Sequence, residues 1–220
     1  MRCSVVATIM VALQSRVYPI ADTDILARRG FEPAGFVEAL LDGGARLVQF
    51  RHKSVYTRKS YEDLEAIAAL CRSAGAQLIV NDRADFAAIF DAGLHVGQDD
   101  LPPLLARRVI GGRMLGLSTH TEAQLRAAAG ESVDYVALGP IFRTDSKRNA
   151  DPEVGVQNLK TWRPLVAKPL VAIGGITLEN AEAVLAAGAD CVAVIGALLP
   201  ERSELGQVKA RMETWIRQVQ

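Results

Sequence analysis

The sequence predicts an α/β protein built as one closed (β/α)8 barrel, and three observations support this fold class. The chain has 220 residues, and a single barrel domain of this kind typically needs roughly 200–250. A glycine-containing turn recurs between helix-like and strand-like segments. Short apolar runs are mostly continuous in hydrophobicity, which indicates strands buried on both faces, as in a parallel sheet surrounded by helices.

Eight predicted strands follow one another along the chain. They are Val17–Ala21, Arg46–Phe50, Gln77–Val80, Leu94–Val96, Met114–Leu117, Tyr135–Leu138, Leu170–Ile173 and Cys191–Ile195. Helical periodicity lies between most of them, for example at Tyr61–Cys71, Thr121–Ala129 and Leu178–Ala187. After Leu138 a long polar stretch precedes a helix near Gln157, and such a stretch predicts a functional β-to-α loop. Eight strands with intervening helices close as a TIM-type barrel.

The recurring turn places a glycine at a helix end, one to four residues before an aliphatic run. The glycines in this position are Gly44, Gly75, Gly93, Gly130 and Gly188. Each is predicted to end its helix in the left-handed conformation, which glycine adopts without steric cost. An open doubly wound sheet is the alternative architecture, but no G-x-G-x-x-G sequence follows the first strand.

Charge and cysteine content limit the function classes. Lys plus Arg and Asp plus Glu number 25 each, so no net field attracts nucleic acid or an anionic membrane, and any anion site must be local. Small molecules are the expected partners. The three scattered cysteines have no C-x-x-C spacing, which argues against a disulfide framework or a zinc site and favours a cytoplasmic location. The sequence leaves open whether the chain forms a homo-oligomer.

Residues 1–16 are predicted to form an N-terminal extension of the barrel, which itself spans 17–220. The basic start and the apolar run Val5–Leu13 resemble a signal peptide. This run is too short to cross a bilayer core of about 30 Å, and no A-x-A cleavage site follows it. The extension is therefore interpreted as a helix that caps the barrel bottom, with a disordered segment or a misassigned start as alternatives.

Polar residues at the predicted carboxyl ends of the strands are the candidate site residues, because active sites of such barrels lie there. Alternation along the extended second run directs Gln49, Arg51 and Lys53 to the barrel mouth. Burial of an amide such as Gln49 is costly unless it binds something, whereas a solvated loop is the alternative for the two cations. His95 and His120 are lone histidines near strand ends and are interpreted as structural.

Two neighbouring strand ends carry carboxylates. Asp82 follows Asn81 after the third run, and Asp100 belongs to the segment HVGQDD after the fourth. Carboxylates from adjacent strand ends can share a divalent ion, and Mg²⁺ is the natural choice where water and phosphate oxygens complete its coordination. The alternative is that each aspartate only caps the following helix. The two carboxylates together favour a metal site.

The later strand ends predict phosphate binding. Ser118 can cap a helix or donate to a phosphate, and Thr144, Ser146 and Lys147 lie in a loop suited to enclosing an anionic ligand. Glycine-rich turns follow the last two strands at Gly174, Gly175, Ile195 and Gly196. Backbone N–H groups in such turns approach a phosphate closely, and this is the usual phosphate site of the barrel class.

Six segments at the strand ends resemble, in this order, the signature segments of the thiamine phosphate synthase family, part of a superfamily that also contains thiazole tautomerases. The segments are QFRHK, VNDR, HVGQDD, LSTH, GPIFRTDSK and VAIGGIT. The resemblance extends from about the first predicted strand to the eighth. It implies a Mg²⁺-dependent transferase that joins hydroxymethylpyrimidine diphosphate to a thiazole phosphate and releases pyrophosphate and thiamine monophosphate.

The resemblance also implies roles for the candidate residues. The pyrimidine is held by Gln49 and Asn81, the pyrophosphate by Arg51, Lys53, Ser118 and Lys147, and Mg²⁺ by Asp82 and Asp100. The thiazole is held by Thr144 and Ser146, with its phosphate on Gly174, Gly175, Ile195 and Gly196. Because an aminopyrimidine stabilises a methylene cation, pyrophosphate departure can precede attack by the thiazole nitrogen. The protein then supplies charge neutralisation and alignment, and no strong general base is needed.

Three departures from the family pattern accompany this resemblance. Gly196 stands where synthases usually have Ser or Thr, Ser146 stands where Thr is common, and the segment from Asn81 to Gln98 is one residue short. Backbone amides can still bind phosphate at Gly196, so these departures bear on affinity more than on the assignment. Whether the thiazole substrate carries a carboxylate is left open.

Two other functions remain as alternatives at this point. One is a thiazole tautomerase-like isomerase, a branch that lacks the carboxylates found here at Asp82 and Asp100. The other is a non-catalytic barrel that binds a phosphate ligand, or a barrel that isomerises another sugar phosphate.

Overall fold

Eight parallel strands close into a barrel in the computed structural model of the protein, which describes residues 13, 15–144 and 152–219. The strands are β1 (Val17–Asp22), β2 (Leu47–Arg51), β3 (Gln77–Asn81), β4 (Gly93–Val96), β5 (Leu115–Thr119), β6 (Tyr135–Leu138), β7 (Leu170–Ile173) and β8 (Cys191–Val194). Each strand pairs with the next, and β8 pairs with β1 through Val192 and Val17. The predicted (β/α)8 barrel is therefore confirmed.

Helices alternate with these strands on the outside of the barrel. They are α1 (Thr23–Arg28), α2 (Pro33–Asp42), α3 (Arg58–Ser73), α4 (Ala84–Ile89), α5 (Pro103–Ile110), α6 (Glu122–Ala129), α7 (Gly155–Trp162), α8 (Leu178–Ala186) and α9 (Leu205–Val219). Short 3₁₀ helices occupy Arg163–Leu165 and Gly196–Leu198. The helix predicted from Tyr61 begins earlier, at Arg58, because Thr57 and Ser60 form a capping box.

Two apolar layers pack on the two faces of the sheet. Outward side chains such as Val48, Val80 and Leu94 are buried beneath the helices. The interior of the barrel is filled by Tyr18, Ile20, Leu47, Ile79, Met114, Tyr135, Ala137, Val171, Cys191 and Ala193. Because side chains alternate along a strand, the residues two positions further along the same strands also point into the barrel, toward its carboxyl end.

Several candidate site residues continue this inward series as part of the strands themselves. Arg51 and Asn81 are the last residues of β2 and β3, and Ser118 lies in β5. The sequence placed them just beyond the strands, but each strand continues one or two residues further than predicted. These side chains are therefore held by the paired backbone of the barrel rather than by loops.

The predicted left-handed glycines are correct at three of the turns and wrong at two. Gly44, Gly75 and Gly188 have φ of +100°, +62° and +109°. Gly130 ends α6 with φ −87°, in the right-handed region. Gly93 is the first residue of β4, where a side chain would collide with Ile79 across the sheet, and Asp91 takes the left-handed conformation instead.

The predicted N-terminal extension lies almost wholly outside the described residues, so its boundary and its helix stay predictions. Leu13 is described and packs against the apolar interior of the barrel. Among the helices of the described chain, none combines the length and the apolar character needed to cross a membrane.

Candidate active site

A cavity of about 920 Å³ opens at the carboxyl ends of the strands. Within the described chain it is lined by all the predicted site residues, namely Gln49, Arg51, Lys53, Asn81, Asp82, Asp100, Ser118, Thr144, Gly174, Gly175, Ile195 and Gly196. Ser146 and Lys147 lie outside the described residues. The folded barrel thus brings together in one cavity the residues that the sequence singled out at separate strand ends, and their roles stay predictions.

Two cations contact carboxylates on the neighbouring strand ends. One is the last residue of β2, and the other lies two residues further on. The Arg51 guanidinium pairs with the Asp22 carboxylate, whose side chain is only 3% exposed. Asp22 also accepts a hydrogen bond from the Ile25 amide at 3.0 Å and so caps α1. Lys53 Nζ lies 2.5 Å from Asp82 Oδ2. The cations of this rim are therefore oriented by carboxylates on both sides.

Asp82 and Asp100 face each other across the rim, and their carboxyl groups are hydrogen-bonded. Burial and the neighbouring Asp100 raise the pKa of Asp82 to about 6, although Lys53 opposes this shift. Burial disfavours ionisation of Asp100 as well, but hydrogen bonds from Asp82 and from the Gly97 amide outweigh it and lower the pKa of Asp100. Asp82 is therefore the carboxyl group of this pair that protonates first as the pH falls.

Neither aspartate caps the helix that follows it, which removes the alternative interpretation from the sequence. The N-cap residue of α4 is Arg83 and that of α5 is Pro102. Asp82 has φ +63°, a left-handed conformation rare outside glycine. Both carboxylates therefore line the cavity and do not cap the following helices.

A chain of buried polar groups crosses the floor of the cavity. Gln49 Nε2 donates to Tyr18 Oη at 2.8 Å, and Tyr18 Oη lies 3.1 Å from Tyr135 Oη. His95 connects the chain to β5, with Nδ1 2.8 Å from Tyr135 Oη and Nε2 2.8 Å from Ser118 Oγ. Burial raises the pKa of both tyrosines, which keeps their hydroxyls protonated. The predicted residues Gln49 and Ser118 are therefore linked through the interior.

The sequence pattern did not single out the two tyrosines as site residues, and it indicated only a structural role for His95. Tyr18 and Tyr135 fall inside apolar runs, where an aromatic ring is ordinarily a core residue. Their inward alternation with Ile20 and Ala137 was visible in the sequence. Which hydroxyl meets which partner depends on strand order and register, and these are not local properties.

Asn81 lies beside this chain and has an orphaned amide group. Its side chain is on the inward face of β3 and the residue is 6% exposed. The buried Nδ2 has no hydrogen-bond partner among the described residues. Because an unpaired buried donor costs about 1–3 kcal/mol, this atom marks a position where a bound molecule could accept a hydrogen bond.

The turns after β7 and β8 differ in how tightly they are enclosed. Gly174 and Gly175 have φ of +102° and +62°. A Cβ at Gly174 would lie 2.6 Å from the Pro140 Cα, and one at Gly175 would lie 2.6 Å from the Arg143 carbonyl oxygen. A Cβ at Gly196 would meet no atom within 4 Å. Glycine is therefore required after β7, whereas space remains in the turn after β8.

Helix ends near these turns fit the predicted anion site. The capping box of Thr177 and Asn180 begins α8, and Asn180 Nδ2 donates to the Gly175 carbonyl at 3.1 Å. The 3₁₀ helix Gly196–Leu198 begins in the turn after β8. Backbone N–H groups at such starts carry partial positive charge.

Comparisons with known proteins agree on one family. Residues 17–198 match the family described as thiamine monophosphate synthase. The thiamine-phosphate synthase of Chloroflexus aurantiacus is 43% identical over 185 residues, covering 84% of this chain and 85% of the relative. That of Koribacter versatilis is 48% identical over 193 residues, covering 84% and 89%. The solved thiamine phosphate pyrophosphorylase from Pyrococcus furiosus is 30% identical with a TM-score of 0.80, covering 93% of this chain and 95% of that one.

Proposed function

The chain belongs to the thiamine monophosphate synthase family and is a transferase that couples a pyrimidine diphosphate with a thiazole phosphate, and on this premise we propose how its residues divide the work. One half of the cavity takes the pyrimidine diphosphate, and the other half takes the thiazole phosphate. The tautomerase-like and non-catalytic alternatives are not favoured, because the relatives found are synthases.

The pyrimidine ring binds between Gln49 and Asn81 in this proposal. The orphaned Nδ2 of Asn81 supplies a donor for a ring nitrogen, and the bond from Gln49 Nε2 to Tyr18 fixes the orientation of the Gln49 amide. Apolar residues of the interior layer lie below both groups. A flat heteroaromatic ring with hydrogen-bonding edges matches such a pocket.

The pyrophosphate binds to Arg51, Lys53, Ser118 and Lys147, and Asp82 with Asp100 holds Mg²⁺. The two facing carboxylates fit a divalent ion, because their oxygens come from neighbouring strand ends and line the same cavity. Within the described chain these form a pair rather than a cluster of three or more metal-binding side chains, which leaves coordination positions for phosphate oxygens and water. When bound, Mg²⁺ would neutralise charge on the departing pyrophosphate.

The thiazole phosphate binds on the opposite side, at Thr144 and Ser146, with its phosphate at Gly174, Gly175, Ile195 and Gly196. Glycine turns and helix starts there offer backbone N–H groups. The apolar side chains of Ile173 and Ile195 line the cavity between these turns and the pyrimidine pocket. This arrangement holds the thiazole nitrogen toward the pyrimidine methylene carbon.

The reaction then needs alignment and charge neutralisation. The bond between the methylene carbon and the diphosphate oxygen breaks, and the electron pair leaves with pyrophosphate. The aminopyrimidine ring stabilises the methylene cation, and the lone pair of the thiazole nitrogen forms the new C–N bond. No proton has to be removed before this bond forms, so a general base is not required. Prearranged cations such as Arg51 and Lys53 stabilise the developing charge.

The facing pair Asp82 and Asp100, next to Lys53, is the observation that carries this assignment. The test supplies purified protein with both substrates and measures thiamine phosphate and pyrophosphate with added Mg²⁺ and with a chelator. We expect equimolar products with Mg²⁺ and loss of turnover with the chelator. Full turnover in the chelator would contradict the metal assignment. Isomerisation of the thiazole without coupling would contradict the division into two substrate sites.

We also propose a cytoplasmic location. Cys71 and Cys191 are buried and carry free thiols, as expected in a reducing compartment. Burial raises the pKa of Cys71 to about 11, so this thiol is unreactive. Fractionation of cells that express the tagged protein tests the location.

A further inference from the structure

The end of β2 and the loop that connects it to α3 carry the two cations assigned to pyrophosphate. Arg51 precedes the loop and pairs with buried Asp22 beside β1. Lys53 lies within it and contacts Asp82 beside β3. His52 stands between the two cations. Although both of its neighbours line the cavity, His52 does not.

The His52 ring is held between two elements on the outer side of this loop. Its Nδ1 lies 2.7 Å from Oγ1 of Thr23, at the start of α1. Its ring meets Tyr56 edge to face, with 4.8 Å between ring centroids, and stacks near Phe50 at 6.3 Å. The imidazole therefore ties the loop to the end of β1 and to the residue just before the capping box of α3.

The contacts continue from Tyr56 to the end of β3. Tyr56 stacks on Phe86 of α4 with 4.8 Å between centroids. The Arg83 guanidinium lies 4.5 Å from the Tyr56 ring centre and 4.3 Å from that of Phe86, and such cation–π contacts stabilise a partly buried cluster. His52 is thus the first member of a continuous set of ring contacts that joins three neighbouring strand ends.

We propose that His52 is a positioning residue that holds Arg51 and Lys53 at the pyrophosphate site. The inference rests on the proposed function, because it takes these cations as the pyrophosphate ligands. The Lys53 side chain is 44% exposed and has many rotamers, so its amine is well placed only while its backbone is fixed. A fixed loop lets both cations meet the leaving group without rearrangement. His52 itself contacts no substrate.

Inorganic pyrophosphate is the probe for this role, used as a product inhibitor of the full-length protein. The variant His52→Leu removes the bond to Thr23 and the contact of Nε2 with the Val55 carbonyl, while retaining bulk. We expect the inhibition constant for pyrophosphate to rise about tenfold. This is the size of effect expected when one well-placed hydrogen bond in a site is lost. The value of kcat falls with it, and KM for the thiazole phosphate stays unchanged, because that substrate binds at the opposite side of the cavity.

Conservative variants separate positioning from a general loss of structure. His52→Asn keeps a polar atom near the Nδ1 position and should restore most of the pyrophosphate affinity. Thr23→Val should reproduce the effect of His52→Leu, while Thr23→Ser should not. The double variant His52→Leu/Thr23→Val should be no worse than His52→Leu alone, since that variant already lacks the Thr23 contact.

Val55→Ala is the matched control in the same loop. Val55 is 84% exposed, and its inhibition constant should match the wild type. An unchanged inhibition constant in His52→Leu, or an equal rise in KM for the thiazole phosphate, would overturn the inference. Lys53→Ala separates this failure from failure of the proposed function. If Lys53→Ala also leaves pyrophosphate inhibition unchanged, the pyrophosphate assignment itself is wrong.

Discussion

Two carboxylates at the amino end of the barrel bond to strand amides, whereas Asp82 and Asp100 at the carboxyl end face each other. At the amino end, Asp134 precedes β6, and its Oδ2 accepts hydrogen bonds from the Leu115 amide at 2.7 Å and from Arg107 Nη2 at 2.8 Å. The Asp134 amide donates in turn to the Leu115 carbonyl at 2.7 Å. This carboxylate therefore joins the starts of β5 and β6 and forms an ion pair with Arg107.

Asp190 repeats this arrangement at the start of the β7–β8 pair. Its Oδ2 accepts from the Leu170 amide at 2.8 Å and from Arg163 Nη2 at 3.1 Å, and its own amide donates to the Leu170 carbonyl at 2.8 Å. Arg163 is further anchored on backbone carbonyls. These two carboxylates of the amino end are therefore paired with the fold itself.

At the carboxyl end, some polar groups are less completely matched. Asp82 and Asp100 face each other, with the pKa of Asp82 raised by burial and by Asp100, and a buried Asn81 nitrogen has no partner in the described chain. Such arrangements cost stability and persist where a ligand completes them. The contrast separates carboxylates that stabilise the fold from groups that remain available to a ligand.

Asp100→Asn should have the largest effect, on turnover alone. Loss of one facing carboxylate removes a proposed Mg²⁺ ligand, and we expect kcat to fall about 10²–10³-fold, as for other transition-state charge stabilisers. The melting temperature should stay near that of the wild type. Asp42→Asn, at an exposed helix end, is the matched control. Wild-type kcat in Asp100→Asn would remove this residue from the site.

Asp190→Ala should show the reverse pattern. The Leu170 amide and Arg163 lose their acceptor, and we expect unfolding to become easier by about 2 kcal/mol, allowing for the partial exposure of the ion pair. Urea titration measures this loss. Asp190→Asn keeps an acceptor for the strand amide and should lose less. A large fall in kcat of the folded Asp190→Ala variant would contradict the division between the two ends.

Asp82→Asn should stabilise the protein in a pH-dependent way. The pKa of Asp82 is raised from 3.8 to about 6, so the stability contributed by its protonated form is present below about pH 4 and lost as the pH rises through about 6. Asparagine cannot ionise. The variant should therefore match the wild type at low pH and exceed it by about 1 kcal/mol above pH 7, after allowance for solvent screening.

Thermal melts of both proteins without Mg²⁺, at pH values on either side of 6, measure this difference. A stability advantage that stays constant with pH would mean that the pKa of Asp82 is not raised in the folded protein. Turnover of Asp82→Asn should fall at every pH, since the variant gains stability by removing a proposed metal ligand.

Gly196→Ser should have the smallest effect. A Cβ at this position meets open space, and an added hydroxyl at the proposed phosphate turn should lower KM for the thiazole phosphate by about two- to fivefold. Gly174→Ala is the contrasting variant, because its Cβ would lie 2.6 Å from the Pro140 Cα at φ +102°. It should lose stability. A raised KM in Gly196→Ser would show that the turn needs the open space.

Much of the candidate site followed from short-range patterns. The alternation that directs Gln49, Arg51 and Lys53 inward is a property of any extended chain, and the cavity lining agrees with it. The convergence of Asp82 and Asp100 follows from parallel strands whose carboxyl ends meet at one rim. The glycines at the helix ends were predicted less well. Gly93, for example, is required by packing against Ile79 across the sheet and does not end a helix.

The fold class, the polar rim and the glycine turns after β7 and β8 could be predicted from the sequence, because periodicity and turn chemistry act over a few residues. The tertiary structure alone decided which carboxylates face each other, which amide stays unpaired, and how Tyr18, Tyr135 and His95 connect Gln49 to Ser118. Those contacts join residues up to 117 positions apart. Their existence depends on barrel closure and strand register, which are set by the packing of the whole chain.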